Sequence, residues 1–311
     1  MSVREMRTTR GKIQFPAFLP VTTFGGKFPI DDVIRPHLHR LAPALMVSYH
    51  YAQEMTTRPK MPLFIDSGGF ASLFRGAEII EEGEVAFIRT KEGNVIHPAG
   101  VLAFQEKNAD IGATLDFIIH QGHDAEESAH RQELTIRNAL WAIQRPRIDG
   151  FRLFASIQAW DVASAHHIMQ KLVDYPFDGF ALGGMVPRVS HPDSILAIVK
   201  AIREIDKERP LHVFGMGAPS TVRDLFAAGV DMVDSSSFVQ YAVDKKYLVP
   251  ATGDYQILNS LGSVETYCRC PMCKMFSKVY YALKGELNTM ALALHNLLAL
   301  SSFTEHLDTT S

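Results

Sequence analysis

Residues 152–184 read RLFASIQAWDVASAHHIMQKLVDYPFDGFALGG, and this stretch decides the fold. The apolar run Arg152–Gln158 is followed by an amphipathic segment, Val162–Val173, and then by a second apolar run, Phe177–Leu182. A strand, a helix and a second strand in this order predict a βαβ unit whose two strands are parallel.

The same alternation continues on both sides of this unit. Eight candidate strands result, namely Phe15–Val21, Ala44–Tyr49, Leu63–Asp66, Ala113–Ile119, Arg152–Gln158, Phe177–Leu182, Leu211–Phe214 and Val230–Asp234. Further amphipathic stretches at Asp124–Gln144, Pro192–Ile205 and Thr221–Ala228 are the candidate helices between them. Eight such units favour an α/β fold of the closed (β/α)₈ or TIM barrel type over the alternative, an open doubly wound sheet.

Two segments depart from this alternation. Residues 74–105 contain four glycines and predict a β-rich insertion after the third strand. After Asp234 we expect no further βα unit. Tyr241–Tyr255 predicts a hairpin or extended segment, and Leu287–Leu300 predicts an apolar helix near the end of the sequence.

The composition of the 311 residues is that of an ordinary globular protein, with 47% hydrophobic residues and a formal net charge of −3. That charge gives no support for a nucleic-acid partner, so any basic surface must be local. No stretch reaches the roughly 18 apolar residues that a membrane span needs, and the polar N-terminus has no apolar signal region. We therefore expect no membrane partner and a cytoplasmic location.

All three cysteines lie within six residues, as Cys268, Cys270 and Cys273. A disulfide framework would have an even number of dispersed cysteines, so the spacing favours a metal site. Tetrahedral Zn²⁺ needs a fourth ligand, for which His295 is the first candidate and His306 the weaker one. Four protein ligands leave no open position, so the predicted zinc is structural. We accordingly predict a barrel domain over residues 1–240 and a zinc-binding module over residues 241–311 that packs on it.

Three aspartates lie at the carboxyl ends of predicted strands: Asp66, Asp116 and Asp234. In a barrel, the carboxyl ends of the strands carry the active site. Two carboxylates that face one pocket can divide the work of nucleophile and acid/base. Each aspartate alone could instead be a helix N-cap or a turn residue. Asp231 should point away from the pocket, because side chains alternate along a strand.

Glycine pairs follow several of the same strands: Gly68-Gly69, Gly183-Gly184, and Gly215 with Gly217. Glycine lets the backbone turn sharply and approach a ligand closely. Simple βα loops and phosphate-binding loops have the same composition, so these pairs do not select a ligand.

Taken together and in this order, the motifs resemble those of the tRNA-guanine transglycosylases and their DNA-modifying relatives. The resemblance covers roughly residues 8–300. It rests on Arg10-Gly11, Phe15–Val21, Tyr49-His50, Asp66–Phe70, Asp116, Gln158, Phe177–Gly184, Gly215–Pro219, Gly229–Asp234, the cysteine cluster and His295-Asn296.

The resemblance implies a role for each matching residue. Asp234 would attack C1′ of a guanosine whose base is flipped out of the stack, and Asp66 would be the general base for the incoming 7-deazaguanine. Asp116 and Gln158 would recognise the purine edge, and Gly184 would bind the purine carbonyl. Phe70 or Met216 would sandwich the ring. The remaining substrate-binding positions implied are Ser67, Gly68, Gly183, Met185 and Gly217.

Departures from the family pattern bear on the substrate. Ala71, Ala159-Trp160 and Val47 replace usual family residues, and Ser235–Tyr241 lacks the arginine that contacts the anticodon loop in the tRNA enzymes. Together with the absence of the archaeal C-terminal extension, this favours the 7-deazaguanine DNA transglycosylase branch, with DNA as substrate. Met185-Val186-Pro187 resembles the archaeal loop and indicates preQ0 (7-cyano-7-deazaguanine) as the incoming base.

Other interpretations stay open at the level of sequence. The same chemistry on tRNA is the nearest alternative. A non-catalytic partner subunit is a second, although retention of both Asp66 and Asp234 argues against it. An unrelated barrel hydrolase or aldolase is a third. A homodimer is possible, because family members often pair through the zinc region.

Overall fold

The computed structural model describes residues 4–24, 26–257, 270–274 and 286–305. The strands, in chain order, are β1 (Glu5–Thr8), β2 (Gly11–Gln14), β3 (Ala17–Pro20), β4 (Leu45–Val47), β5 (Leu63–Ile65), β6 (Glu78–Glu82), β7 (Val85–Arg89), β8 (Val95–Ile96), β9 (Ile111–Ala113), β10 (Arg152–Gln158), β11 (Gly179–Gly183), β12 (Leu211–Val213), β13 (Met232–Ser235), β14 (Lys246–Leu248) and β15 (Tyr255–Ile257). The helices are α1 (Pro29–Leu38), α2 (Tyr49–Ala52), α3 (Pro98–Asn108), α4 (Ala125–Ile143), α5 (Val162–Leu172), α6 (Pro192–Ile205), α7 (Pro219–Ala227), α8 (Ser237–Val243) and α9 (Glu286–Glu305).

Eight parallel strands form one sheet in the order β3-β13-β12-β11-β10-β9-β5-β4. The sheet closes where the Thr22 amide donates to the Met46 carbonyl at 2.9 Å, beside the parallel bridge between Val21 and Met46. The predicted α/β barrel is therefore confirmed. Its interior is packed with side chains from several strands, including those of Leu19, Phe64 and Phe154.

The β1–β2 hairpin covers the end of the barrel where the strands begin. Met6 and Ile13 from this hairpin join the interior cluster. Thr9, in its turn, donates to Asp110 at 2.7 Å, immediately before β9. This end of the barrel is thereby closed, and the opposite end is left for a ligand.

The fourth barrel strand differs from its prediction, because β9 ends at Ala113 rather than at Ile119. The apolar side chains that follow are buried in a loop, where side chains satisfy the backbone amides. The Phe117 amide donates to Thr135 Oγ1 at 3.1 Å, and the Ile119 amide donates to Gln158 Oε1 at 3.2 Å. These residues are buried but do not pair as a strand. Their apolar run therefore resembled a strand in the sequence.

The insertion after the third strand also needs correction. Residues 78–96 form the three-stranded antiparallel sheet β6-β7-β8, but residues 98–108 form the helix α3. Pro98 occupies the first turn of α3, where its missing N–H is not needed, and the His97 side chain accepts from the Ala99 amide at 3.2 Å. Only the first part of the predicted β-rich segment is therefore a sheet.

The helix of the eighth βα unit, which was not predicted, follows Asp234, and an antiparallel strand pair then lies in the region predicted as a hairpin. Helix α8 follows β13 at once, and the antiparallel pair β14–β15 comes after it. Helix α9 packs against α8, α1 and β3. Among the described residues, no helix is both long enough and apolar enough to cross a bilayer.

Candidate active site

A cavity of about 640 Å³ opens at the end of the barrel where the strands finish. Asp66, Asp116 and Asp234 all line it. They arrive from three different strand ends, β5, β9 and β13, which the closed sheet brings together. The chain thus gathers its predicted carboxylates around one space.

The sharp turn after β5 holds Asp66. Its Oδ1 accepts hydrogen bonds from the Tyr49 amide at 2.6 Å and from the Gly68 amide at 2.9 Å. Gly68 has φ of 76°, a conformation that favours glycine, and this turn aims its amide back at Asp66. Burial raises the pKa of Asp66 to about 7, opposed by the two amides and assisted by the charges of Asp116 and Asp234. A carboxyl with that pKa can both give and take a proton near neutral pH.

The Asp116 carboxylate is buried and is held from both sides by neutral donors. The Ser67 hydroxyl donates to Oδ1, and the Gln158 amide nitrogen donates to Oδ2. Burial raises the pKa of Asp116, while these two hydrogen bonds lower it. A Cβ atom at Gly69 would lie 2.1 Å from Asp116 Oδ1, so only glycine fits beside the carboxylate.

Asp234 lies in β13 with its carboxylate at the cavity. Its Oδ1 accepts from His212 Nε2 at 2.8 Å and from the Gly215 amide at 3.1 Å. Both hydrogen bonds found for Asp234 among the described residues go to this one oxygen. The oxygen Oδ2 therefore keeps its lone pairs for another partner.

Of the other predicted substrate-binding residues, the structure places some at the cavity and some behind its wall. Ser67, Gly68, Phe70, Gly183 and Gly184 line the cavity. Gln158 lies beneath it and positions Asp116. The side chains of Met185 and Met216 are buried in the core, and Gly217 lies against Ser235 and Ser237. These last three contribute nothing to the cavity surface.

Sequence reasoning gave no site role to Lys27, Ser48, His50 or Tyr51 of the cavity wall, although His50 lies in one of the matching motifs. Lys27 is the one lysine or arginine that lines the cavity in the described part of the chain. Its Nζ lies 3.2 Å from the Tyr51 hydroxyl and about as close to the Phe28 ring as to the Tyr51 ring. Lys27 lies between β3 and α1, and His50 and Tyr51 lie in α2 directly after β4, so the rule that the residues after barrel strands face the site could have found them.

Candidate metal site

A second cluster lies between the short helical turn at residues 271–274 and α9. Cys270 Sγ and Cys273 Sγ lie 3.4 and 3.3 Å from His295 Nδ1. These distances approach the edge of a tetrahedron around Zn²⁺, roughly 3.6 Å for one sulfur and one nitrogen ligand. Cys268, the third predicted cysteine ligand, and His306 lie outside the described residues.

The groups around this cluster prepare it for a metal. Cys273 hydrogen-bonds to the Cys270 sulfur and, with His295, lowers the pKa of the Cys270 thiol to about 4, although burial opposes the shift. His295 Nε2 donates to the Leu248 carbonyl at 2.8 Å, which directs Nδ1 at the sulfurs. The ring of Tyr247 stacks on that of His295 at 4.0 Å. The cluster therefore fits a metal ion that prefers sulfur and nitrogen.

The neighbouring residue, Asn296, connects the metal cluster to the active-site wall. Its side chain accepts from the Leu248 amide at 2.9 Å and donates to the carbonyl of Phe238 in α8 at 3.4 Å. Helix α8 directly follows the strand that carries Asp234. Asn296 thus links the helix that carries His295 to the segment behind the cavity, and the metal cluster is separate from the cavity itself.

Comparison with known proteins

A closed parallel barrel with aspartates at its open end and a separate cysteine–histidine cluster defines a class of barrel enzymes with a structural metal module. The family model for Queuine tRNA-ribosyltransferase matches residues 3–308, so the chain belongs to that family. Members of this family are guanine-exchanging pentosyltransferases, which confirms the predicted enzyme class at the level of the family.

Individual relatives are distant in sequence. The chain is 26% identical over 295 residues to the tRNA-guanine(15) transglycosylase of Thermococcus onnurineus, covering 92% of this chain and 48% of the relative. It is 28% identical over 323 residues to the Queuine tRNA-ribosyltransferase of Marinobacter nauticus, covering 93% and 84%. The chain therefore spans about half of the archaeal relative and most of the bacterial one.

Proposed function

We propose that this chain exchanges a guanine in a nucleic acid for a 7-deazaguanine base through a covalent glycosyl-enzyme intermediate. One observation carries the proposal: Asp66 and Asp234 share a cavity but differ in their surroundings. One carboxyl has a pKa of about 7, and the other has one oxygen anchored and one oxygen open. That pairing suits an acid/base and a nucleophile, respectively.

In the first step, Asp234 Oδ2 attacks C1′ of the target nucleoside. The C1′–Oδ2 bond forms, and the bond from C1′ to the base breaks, with its electron pair leaving on guanine. A protonated Asp66 supplies the proton that the leaving guanine takes up. The target base must lie in the cavity, so the nucleotide is flipped out of its stack.

In the second step, the incoming base occupies the position that guanine has left. Asp66, now deprotonated, takes the proton from its reacting nitrogen, which attacks C1′ and displaces Asp234. Two displacements retain the configuration at C1′. The pKa of about 7 allows Asp66 to serve both steps at neutral pH.

The purine-binding part of the proposal assigns Asp116 to the donors of the guanine edge. Gln158 fixes Asp116, and its own orientation is fixed because its Oε1 accepts from the Ile119 amide. The amide of Gly184 would donate to the purine carbonyl. Phe70 would cover the ring, because its side chain is 59% exposed at the cavity mouth. Lys27 is the candidate contact for a phosphate of the flipped nucleotide.

We take tRNA as the nucleic acid that the comparisons support better. The names of the relatives from Thermococcus onnurineus and Marinobacter nauticus both specify tRNA. DNA is the second candidate, because one specific observation favours it. Residues 235–243, which follow the nucleophile and include the whole of α8, contain no lysine or arginine to contact an anticodon loop.

For the incoming base we propose preQ0. Val186 and Pro187 line the cavity directly after Gly184. Apolar side chains suit the uncharged nitrile of preQ0 better than the ammonium group of an aminomethyl base.

Exchange of radiolabelled guanine into nucleic acid tests the proposal. Purified protein is incubated with labelled guanine and either unmodified tRNA or guanine-containing DNA, with and without preQ0 as competitor. Label entering tRNA, and displaced by preQ0, is the expected result. Label in DNA alone supports the second candidate. Label in neither substrate overturns the proposed function.

We further propose that the cysteine–histidine cluster holds one structural Zn²⁺ and that residues 241–311 form a module around it. Metal analysis should find about one zinc per chain. Cys273→Ser should lower both the zinc content and the thermal stability, whereas Ser302→Ala, a change on α9 away from the cluster, should leave the zinc content unchanged. Full zinc content in Cys273→Ser would contradict the assignment.

A further inference from the structure

One buried histidine touches the proposed nucleophile without lining the cavity. His212 lies in the middle of β12 and has no exposed surface. Its Nε2 is 2.8 Å from Asp234 Oδ1. The histidine therefore contacts the carboxylate from inside the barrel, and the substrate cavity lies on the other side of Asp234.

The surroundings of the ring define which nitrogen donates. A carboxylate oxygen can only accept, so Nε2 carries the hydrogen of this bond. The other nitrogen, Nδ1, has no hydrogen-bond partner in the described part of the chain. The rings of Phe64 and Phe214 pack against the imidazole, with centroids 4.9 and 4.6 Å away. The two aromatic rings fill the space beside the imidazole, and the hydrogen bond to Asp234 sets its orientation.

We propose that His212 is a positioning residue for glycosyl transfer, an inference that rests on the proposed function. His212 and the Gly215 amide both donate to Oδ1 of Asp234. This pair of donors fixes the rotation of the carboxylate and turns Oδ2 toward C1′. In the covalent intermediate Oδ2 is bonded to C1′, and Oδ1 becomes the ester carbonyl oxygen, which accepts from the same two donors.

A positioning role has a distinct kinetic signature. His212 does not touch the substrate, so its loss should leave binding intact and slow the covalent step. A hydrogen bond to a charged group corresponds to a rate effect of about 10- to 100-fold. A purely structural role would instead lower the amount of folded protein and leave the turnover of the folded fraction unchanged.

The test compares three variants in guanine exchange, with kcat and KM for the nucleic acid measured separately. His212→Phe keeps a ring but removes the donor, and kcat should fall about 10- to 100-fold with KM within twofold. His212→Gln restores an N–H donor and should recover most of that loss. Phe64→Leu disturbs the same cage without touching Asp234, so its kcat should stay within about twofold of the wild-type value.

The outcomes separate this inference from the proposed function. An inactive wild-type protein would overturn the function itself. An active wild-type protein with an unchanged kcat in His212→Phe, or an equal kcat loss in Phe64→Leu, would overturn the positioning role alone. Nitrogen-15 NMR of the histidines adds an independent readout. It should show an Nε2–H tautomer for His212, and a hydrogen on Nδ1 with a bare Nε2 would also overturn the inference.

Discussion

Aspartates lie at both ends of the barrel, but the groups around them differ. At the end where the strands begin, four aspartates are paired with arginine: Asp110 with Arg10 and Arg58, Asp178 with Arg147 and Arg152, Asp206 with Arg209, and Asp231 with Arg4 and Arg203. At the end where the strands finish, Asp66, Asp116 and Asp234 accept from amides, a hydroxyl and an imidazole.

The difference separates stability from chemistry. Arginine neutralises a carboxylate, and in Asp110, Asp178 and Asp231 two arginines take one oxygen each, so these pairs hold different parts of the chain together. Amide, hydroxyl and imidazole groups orient a carboxylate through hydrogen bonds without a guanidinium beside it, and burial raises the pKa of Asp66 and Asp116. The carboxylates at the open end thus stay available for proton transfer and nucleophilic attack, at the end where barrels carry their active sites.

The largest expected effect comes from comparing a variant of the proposed nucleophile with a variant of an arginine-paired aspartate. Asp234→Asn removes the nucleophile and should lower guanine exchange by at least about 10³-fold. Asp231→Asn, three residues earlier, should retain the kcat of the folded protein, because Asp231 faces Arg203 and the Leu211 amide. Equal activity losses in the two variants would contradict the assignment of chemistry to one end of the barrel and stability to the other.

The second prediction concerns proton transfer. Asp66→Asn should lower exchange by about 10²- to 10⁴-fold, since it can neither give nor take a proton. In the wild-type protein, base exchange should be fastest near pH 7 and slow on either side, because the first step needs Asp66 protonated and the second needs it deprotonated. A pH profile that is flat from pH 5 to pH 8 would count against this role.

The third prediction concerns the stability that an arginine-paired aspartate gives to the folded protein. Asp231 is buried, and Asp231→Asn leaves the Arg203 guanidinium without its carboxylate. Loss of one partner from a buried ion pair costs about 3 kcal/mol or more, so the free energy of unfolding should fall by that order in urea denaturation. Glu78→Gln, which removes a carboxylate from an exposed pair with Arg89, is the matched control and should change stability by less than about 1 kcal/mol.

The smallest effect is a gain of stability at the open end. The pKa of Asp66 is raised from 3.8 to about 7 in the folded protein, so folding binds a proton between these values. The contribution of Asp66 to stability is present below about pH 4 and is lost as the pH rises through about 7. Asp66→Asn should therefore be more stable than the wild-type protein at pH 8, by on the order of 2 kcal/mol, and the difference should shrink toward pH 4. A variant less stable than wild type at pH 8 would contradict the raised pKa.

Much of this architecture could be predicted from the sequence, because parallel barrel strands are short apolar runs at regular intervals. The carboxyl ends of the predicted strands then indicated that Asp66, Asp116 and Asp234 lie at the same end of the barrel. Helix α3 was missed because its sequence continues a glycine-containing sheet segment, and its start depends on Pro98 and His97. Helix α8 was missed because serines with few apolar neighbours precede it.

Other features could not be read from the sequence because they depend on three-dimensional closure. His212 is one polar residue inside an apolar strand, and only the neighbouring strand β13 gives it a partner. Lys27, between β3 and α1, contacts the hydroxyl of Tyr51, which lies in α2. The family resemblance implied Met216 at the ligand, but its side chain is buried in the core.

Detection of the covalent intermediate tests the central claim most directly. The protein is incubated with tRNA or DNA without incoming base, denatured, and separated on a gel that preserves ester linkages. A protein–nucleic acid adduct should form with the wild-type protein and with Asp231→Asn, should map to the peptide containing Asp234, and should be absent in Asp234→Asn. An adduct that persists in Asp234→Asn, or that maps to Asp66, would contradict the assignment of the nucleophile.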